Sequence, residues 1–114
     1  MRKYSHKRSD RIADQIHKDI VNILRKEIKD PRINWVTISE VVVNSDNTWA
    51  TIYWTVLNKG DKEAVMLGLE KARGFIRSQL SKGFQTYTIP NIKFVYDESL
   101  ERASKIEALI NTVK

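Results

Sequence analysis

Val36-Thr37-Ile38-Ser39-Glu40-Val41-Val42-Val43, Asn44-Ser45-Asp46-Asn47-Thr48 and Trp49-Ala50-Thr51-Ile52-Tyr53-Trp54-Thr55-Val56-Leu57 form the continuous stretch on which the fold turns. Its two outer runs are dense in β-branched and aromatic residues. Asn44-Ser45-Asp46-Asn47 between them supplies turn chemistry, so the stretch reads as a β-hairpin. In the second strand Ala50, Ile52, Trp54 and Val56 share one face, while Trp49, Thr51, Tyr53 and Thr55 share the other. The first strand alternates through Val36 and Ile38, then slips phase to Val41 and Val43. A bulge at Ser39-Glu40 accounts for the slip.

On the N-terminal side, Ser9 to Lys29 reads as a helix with Ile12, Ile16, Ile20, Ile23 and Leu24 as its buried stripe. Ser9 or Asp10 caps its start, and Pro31 stops it. On the C-terminal side, Asn58-Lys59-Gly60-Asp61 is a loop, and Lys62 to about Lys82 is helical again. Val65, Leu69, Ala72, Ile76 and Leu80 form its apolar stripe, with Gly83 placed to end it. Gly74 inside that pattern costs about 1 kcal/mol against alanine, which predicts a kink or a close backbone approach. Ile92 to Asp97 is a third strand, entered after Pro90. Residues 99–114 carry a last helical pattern, with Ser104 and Glu107 as a capping box. The expected fold is α+β, a two-layer sandwich in one domain over residues 1–114, with residues 1–8 a mobile basic N-terminus.

The composition agrees with this reading. A chain of 114 residues, 41% hydrophobic and 30% charged, can bury a core and is neither disordered nor collagen-like. It has no cysteine, which excludes disulfide scaffolds, Cys-based zinc sites, iron–sulfur clusters and thiol nucleophiles. No apolar run approaches the roughly 18 residues of a membrane span. The basic start, Met1 to Arg8, lacks the apolar region of a signal peptide, so a cytoplasmic location is expected.

Charge is unevenly placed. Residues 1–32 carry net +5, residues 33–57 have no Lys or Arg and net −2, and residues 58–84 carry net +3. At about 100° per residue, Arg11, Lys18, Arg25 and Lys29 fall within about 40° of one another, nearly opposite the isoleucine stripe. Lys7 and Arg8 lead into that face. On the second helix Lys71, Arg73 and Arg77 add charge, with Arg73 and Arg77 one turn apart. Such clusters favour an anionic partner, although a solvated helix face looks the same and Glu70 stands at the i, i+3 spacing for pairing with Arg73. Helix geometry predicts Phe75 and Ile76 inward, with both guanidinium groups outward and free for phosphate. Trp35, Trp49, Tyr53 and Tyr87 are candidate stacking platforms, though strand aromatics more often pack.

Catalytic signals are missing. The two histidines, His6 and His17, make no metal-ligand pair, and there is no nucleophile elbow, Walker loop or dinucleotide fingerprint. The chain reads as a non-enzyme without metal, cofactor or small-molecule substrate.

Helix–strand–strand–helix–helix–strand is also the order of the type II KH domain, an RNA-binding fold. Its nucleotide-clamping Gly-x-x-Gly loop is absent, since no two of Gly60, Gly68, Gly74 and Gly83 are three apart. Ala72-Arg73-Gly74 resembles instead the Ala-x-Gly kink of the ribosome-binding factor A family. Leu24-Arg25-Lys26-Glu27-Ile28-Lys29-Asp30-Pro31-Arg32 is similar to that family's end of the first helix, and Trp54-Thr55-Val56-Leu57-Asn58 to its second strand. Ala72-Arg73-Gly74-Phe75-Ile76-Arg77 resembles its kink region, and Phe94-Val95-Tyr96-Asp97-Glu98-Ser99-Leu100 its last strand. The resemblance implies a bacterial assembly factor, a cytoplasmic monomer that binds the immature small (30S) ribosomal subunit and its 16S rRNA. It further implies support for 5′-end processing of that RNA and for growth in the cold, with no cofactor and no membrane. Two other classes share the physical features: a stand-alone KH-like RNA chaperone, and a protein-interaction module using the Trp-bearing hairpin.

Overall fold

The computed structural model describes residues 8–33, 36–56, 61–84 and 89–99. The isoleucine periodicity becomes helix α1, Arg8–Lys26, and Ile12, Ile16, Ile20 and Ile23 are all buried. α1 ends three residues earlier than the spacing predicts. Pro31 disfavours helical backbone at the residue before it, and a 3-10 turn, Pro31–Ile33, follows with Ile33 N–H donating to the Asp30 carbonyl at 3.0 Å. Ile28 then packs against the core from outside the helix, and Ile33 is buried.

Strands β1, Val36–Val43, and β2, Trp49–Val56, pair antiparallel, and their register shifts between Ile38 and Glu40, where the bulge is expected. Asn44 closes the turn: its side-chain carbonyl accepts from the Thr48 and Trp49 amides at 2.9 and 3.0 Å. Asn47 sits at φ 61°, a left-handed conformation that asparagine tolerates better than most residues.

Helix α2, Lys62–Ser81, is capped by Asp61, whose carboxylate accepts from the amides of Glu63 and Ala64, both at 3.1 Å. Strand β3, Asn91–Tyr96, then lies parallel to β2, giving the order β1-β2-β3. α1 packs on β1, α2 packs on β3, and the two helices touch. Their stripes and the sheet face of Ile38, Val41, Val43, Ala50, Ile52, Trp54 and Ile92 share one cluster of buried side chains. Trp54, with no exposed surface, makes a T-shaped contact with its β3 partner Tyr96 at 5.0 Å between ring centroids.

Two expectations are corrected. The second helix is not divided at Gly74: α2 runs unbroken from Lys62 to Ser81. Leu69 before the glycine and Ile76 and Leu80 after it are fully buried on one stripe, and their burial outweighs a propensity penalty of about 1 kcal/mol. No backbone approaches either, since a Cβ built at Gly74 meets nothing within 4 Å. Gly83 does not end the helix through a left-handed cap, because no described glycine has positive φ. The last turn tightens instead, with Lys82 N–H donating to the Gln79 carbonyl and Gly83 N–H to the Leu80 carbonyl. Gly83 faces α1: a Cβ there would stand 2.9 Å from Asp19 Oδ2. The patterns over residues 99–114 and the Asn58-Lys59-Gly60 loop lie outside the described residues, apart from Ser99.

Candidate nucleic-acid interface

α1 separates its two tasks by angle. The isoleucine stripe faces the sheet, and Arg11, Lys18 and Arg25 project from the opposite side, all exposed. Among the described residues no carboxylate pairs with them and no hydrogen bond holds them. Their seven-residue spacing spreads three cations over about 21 Å, at 1.5 Å per residue. Lys29 is exposed beyond the helix end and extends the row from the connection to the 3-10 turn. Arg8 occupies the first, exposed position of α1, and Lys7 lies outside the described residues.

α2 divides its basic residues differently. Lys71 is exposed and makes no ion pair among the described residues. Arg73 is exposed and bridges Glu70, Nε to Oε1 at 3.2 Å. An exposed i, i+3 pair is worth at most about 1 kcal/mol, so Arg73 can exchange that partner for a phosphate at little cost. Arg77 cannot. Its Nε donates to the Pro90 carbonyl at 3.1 Å and its terminal Nη2 to the Ile89 carbonyl at 2.8 Å. The expectation of two free outward guanidinium groups is therefore corrected for Arg77, which ties α2 to the segment entering β3. Phe75 also departs from expectation: Ile76 is buried, but Phe75 is 44% exposed, and Leu67, two turns before it, is 66% exposed. Gly74, between them on the solvent side, is exposed as well.

Among the stacking candidates, Trp49 is 43% exposed on the sheet face away from the helices and Tyr53 is half-buried on the same face. Lys93 Nζ stands 6.0 Å from the centroid of the Trp49 ring. Trp35 and Tyr87 lie outside the described residues.

One feature was illegible in the sequence. Between α1 and β1 opens a cleft of about 280 Å³, lined by Val21, Leu24, Arg25, Ile33, Val36, Thr37 and Ile38. Three separate elements, α1, the 3-10 turn and β1, contribute to it, so no periodicity announces it. Among the described residues no helix is long and apolar enough to cross a membrane.

The family model of ribosome-binding factor A matches residues 8–110 of this chain. A relative of that name from Neisseria gonorrhoeae is 44% identical over 106 residues, covering 93% of this chain and 86% of its own. One from Dechloromonas aromatica is 37% identical over 111 residues, covering 97% and 90%. Among solved structures, ribosome-binding factor A from Thermus thermophilus superposes with a TM-score of 0.71 at 15% identity, covering 80% of this chain and 97% of that one. A homology model of the Thermus thermophilus factor, fitted into a cryo-electron-microscopy map of its complex with the 30S subunit, superposes with a TM-score of 0.64 at 16% identity. It covers 75% of this chain and 91% of that one. At those identities the two structures speak for the fold alone.

Proposed function

The chain belongs to the ribosome-binding factor A family, and from that premise we propose that it binds the small ribosomal subunit through ribosomal RNA, using the basic face of α1. The observation that carries this reading is the row of Arg11, Lys18 and Arg25, exposed and without ion-pair partners among the described residues, opposite a buried isoleucine stripe. Arg8 extends the row at its start and Lys29 at its end, Lys71 and Arg73 add contacts from α2, and Lys7, which precedes Arg8 in the sequence, belongs to the same proposal. The relatives carry the family name, and a model of the Thermus thermophilus factor is fitted into a map of its complex with the 30S subunit.

The mechanism is stoichiometric. Phosphates displace water and counterions from the guanidinium and ammonium groups, and the protein holds one conformation of immature RNA until it is displaced. No bond to substrate is made or broken, so no cofactor is required. Support for 5′-end processing of 16S rRNA, growth in the cold, a cytoplasmic location and action as a monomer belong to the same proposal.

The test is co-sedimentation with immature small subunits across a salt series. Each neutralised phosphate contributes about 0.9 to the log–log salt slope, so Arg11→Ala with Lys18→Ala should flatten it by about one to two units. An unchanged slope and affinity would remove the α1 face from the interface. Salt-insensitive binding to a protein, with no affinity for RNA, would favour the interaction-module reading.

A further inference from the structure

The cleft between α1 and β1 is lined by five aliphatic side chains together with polar surface, and Arg25 stands among its lining residues. Ile33 and Ile38 are buried and form its floor, Val21, Leu24 and Val36 are half-buried and form its walls, and Arg25 and Thr37 are exposed at its rim. At about 280 Å³ it falls just below the roughly 300–1,000 Å³ of pockets that take drug-sized ligands, a size for one planar ring system. Arg25 is both a lining residue and the last helical member of the α1 row, so a polyanion lying along Arg11 and Lys18 arrives at the cleft mouth. A row of about 21 Å exceeds the reach of one carboxylate and suits a chain carrying a charge on every unit.

We infer that this cleft receives one unstacked nucleobase of a single-stranded RNA segment, with Arg25 holding the adjoining phosphate. This deepens the reading of α1 as an RNA-facing surface and rests on it. Phosphate contacts along the row supply affinity without regard to sequence, and burial of a base in the cleft distinguishes a single strand from a duplex. Paired bases stay stacked and cannot enter.

The experiment uses the full chain with two probes of similar length: a single-stranded RNA oligomer, and inorganic polyphosphate, which has the charge but no base. Methyl resonances of Val21, Leu24, Ile33, Val36 and Ile38 should move upfield by ring current with RNA and stay in place with polyphosphate. Val21→Phe fills the cleft without changing charge. It should lower RNA affinity by about tenfold, the scale of one stacked base, and leave polyphosphate affinity and the salt slope unchanged. If Val21→Phe loses its cooperative thermal transition, the methyl shifts of the unsubstituted chain decide alone. RNA binding that leaves these methyls unmoved, or a folded Val21→Phe with full RNA affinity, overturns the inference. So do methyl shifts that appear with ribosomal proteins but not with RNA. Failure of the unsubstituted chain to co-sediment with small subunits, while the RNA oligomer still enters the cleft, would instead sink the ribosomal reading.

Discussion

Replacing Arg77 by alanine is the sharpest test of how α2 is held. The side chain makes two charge-assisted hydrogen bonds, to the Pro90 carbonyl at 3.1 Å and to the Ile89 carbonyl at 2.8 Å. Ile89 and Pro90 are buried, so Arg77→Ala leaves two carbonyls with reduced access to water. A hydrogen bond to a charged group contributes about 1.5–3 kcal/mol, and the two share one side chain and are not additive. Arg77 is itself only half-buried, which places the expected loss at about 2–4 kcal/mol. For a domain of this length each kcal/mol moves the melting temperature by about 4 °C, so a fall of about 8–16 °C is expected.

The assay is thermal and urea unfolding followed by circular dichroism, with Arg73→Ala as the matched control. Arg73 loses only its exposed bridge to Glu70, so its midpoint should shift by less than about 4 °C. Arg77→Lys keeps the charge but not the forked donors, and should fall between the two. If Arg77→Ala melts with the unsubstituted chain yet fails to bind small subunits, the clamp reasoning is wrong and Arg77 belongs to the interface.

Gly74→Ala should raise stability by about 1 kcal/mol, because it gains helix propensity and its Cβ meets nothing within 4 Å; a lower melting temperature would show that the glycine conformation matters. Asn47→Gly should stabilise the hairpin by about 0.5–1 kcal/mol in urea unfolding, since glycine adopts φ 61° freely and the buried Asn47 Oδ1, which has no hydrogen-bond partner, is removed. A destabilised Asn47→Gly would mean that the asparagine side chain holds the turn.

The parts of the fold that were legible are those encoded in local periodicity. The α1 stripe, the hairpin with its bulge, and the face of Ile92, Phe94 and Tyr96 all report burial at a spacing of 3.6 or 2, and tertiary packing reinforces each. A break at Gly74 is expected only when its propensity is weighed without the burial of Ile76 and Leu80 on the far side of the glycine. The contacts of Arg77 are hidden from the sequence for a different reason. Its acceptors lie 12 and 13 residues onward, across a connection whose path no spacing rule supplies. The cleft beside Arg25 is a gap between packed elements, and a gap leaves no signature in any one of them.

The two helices differ in how far function can be altered without touching the fold. On α1 the buried stripe and the cations are roughly half a turn of azimuth apart, so charge can be removed from Arg11 or Lys18 while every core contact stays. On α2, six consecutive residues have mixed fates: Ala72 packs against the core, Ile76 lies in it, and Arg77 clamps the approach to β3. Arg73, Gly74 and Phe75, in the same run, are exposed. This stretch carries part of the resemblance to ribosome-binding factor A, and its likeness therefore combines fold requirements with surface ones. A joint Arg73→Ala and Arg77→Ala variant that failed in cells could fail through instability alone. Charge removed from α1, with Arg73→Ala as the only change on α2, is the set of substitutions whose loss of binding would report on RNA contact itself.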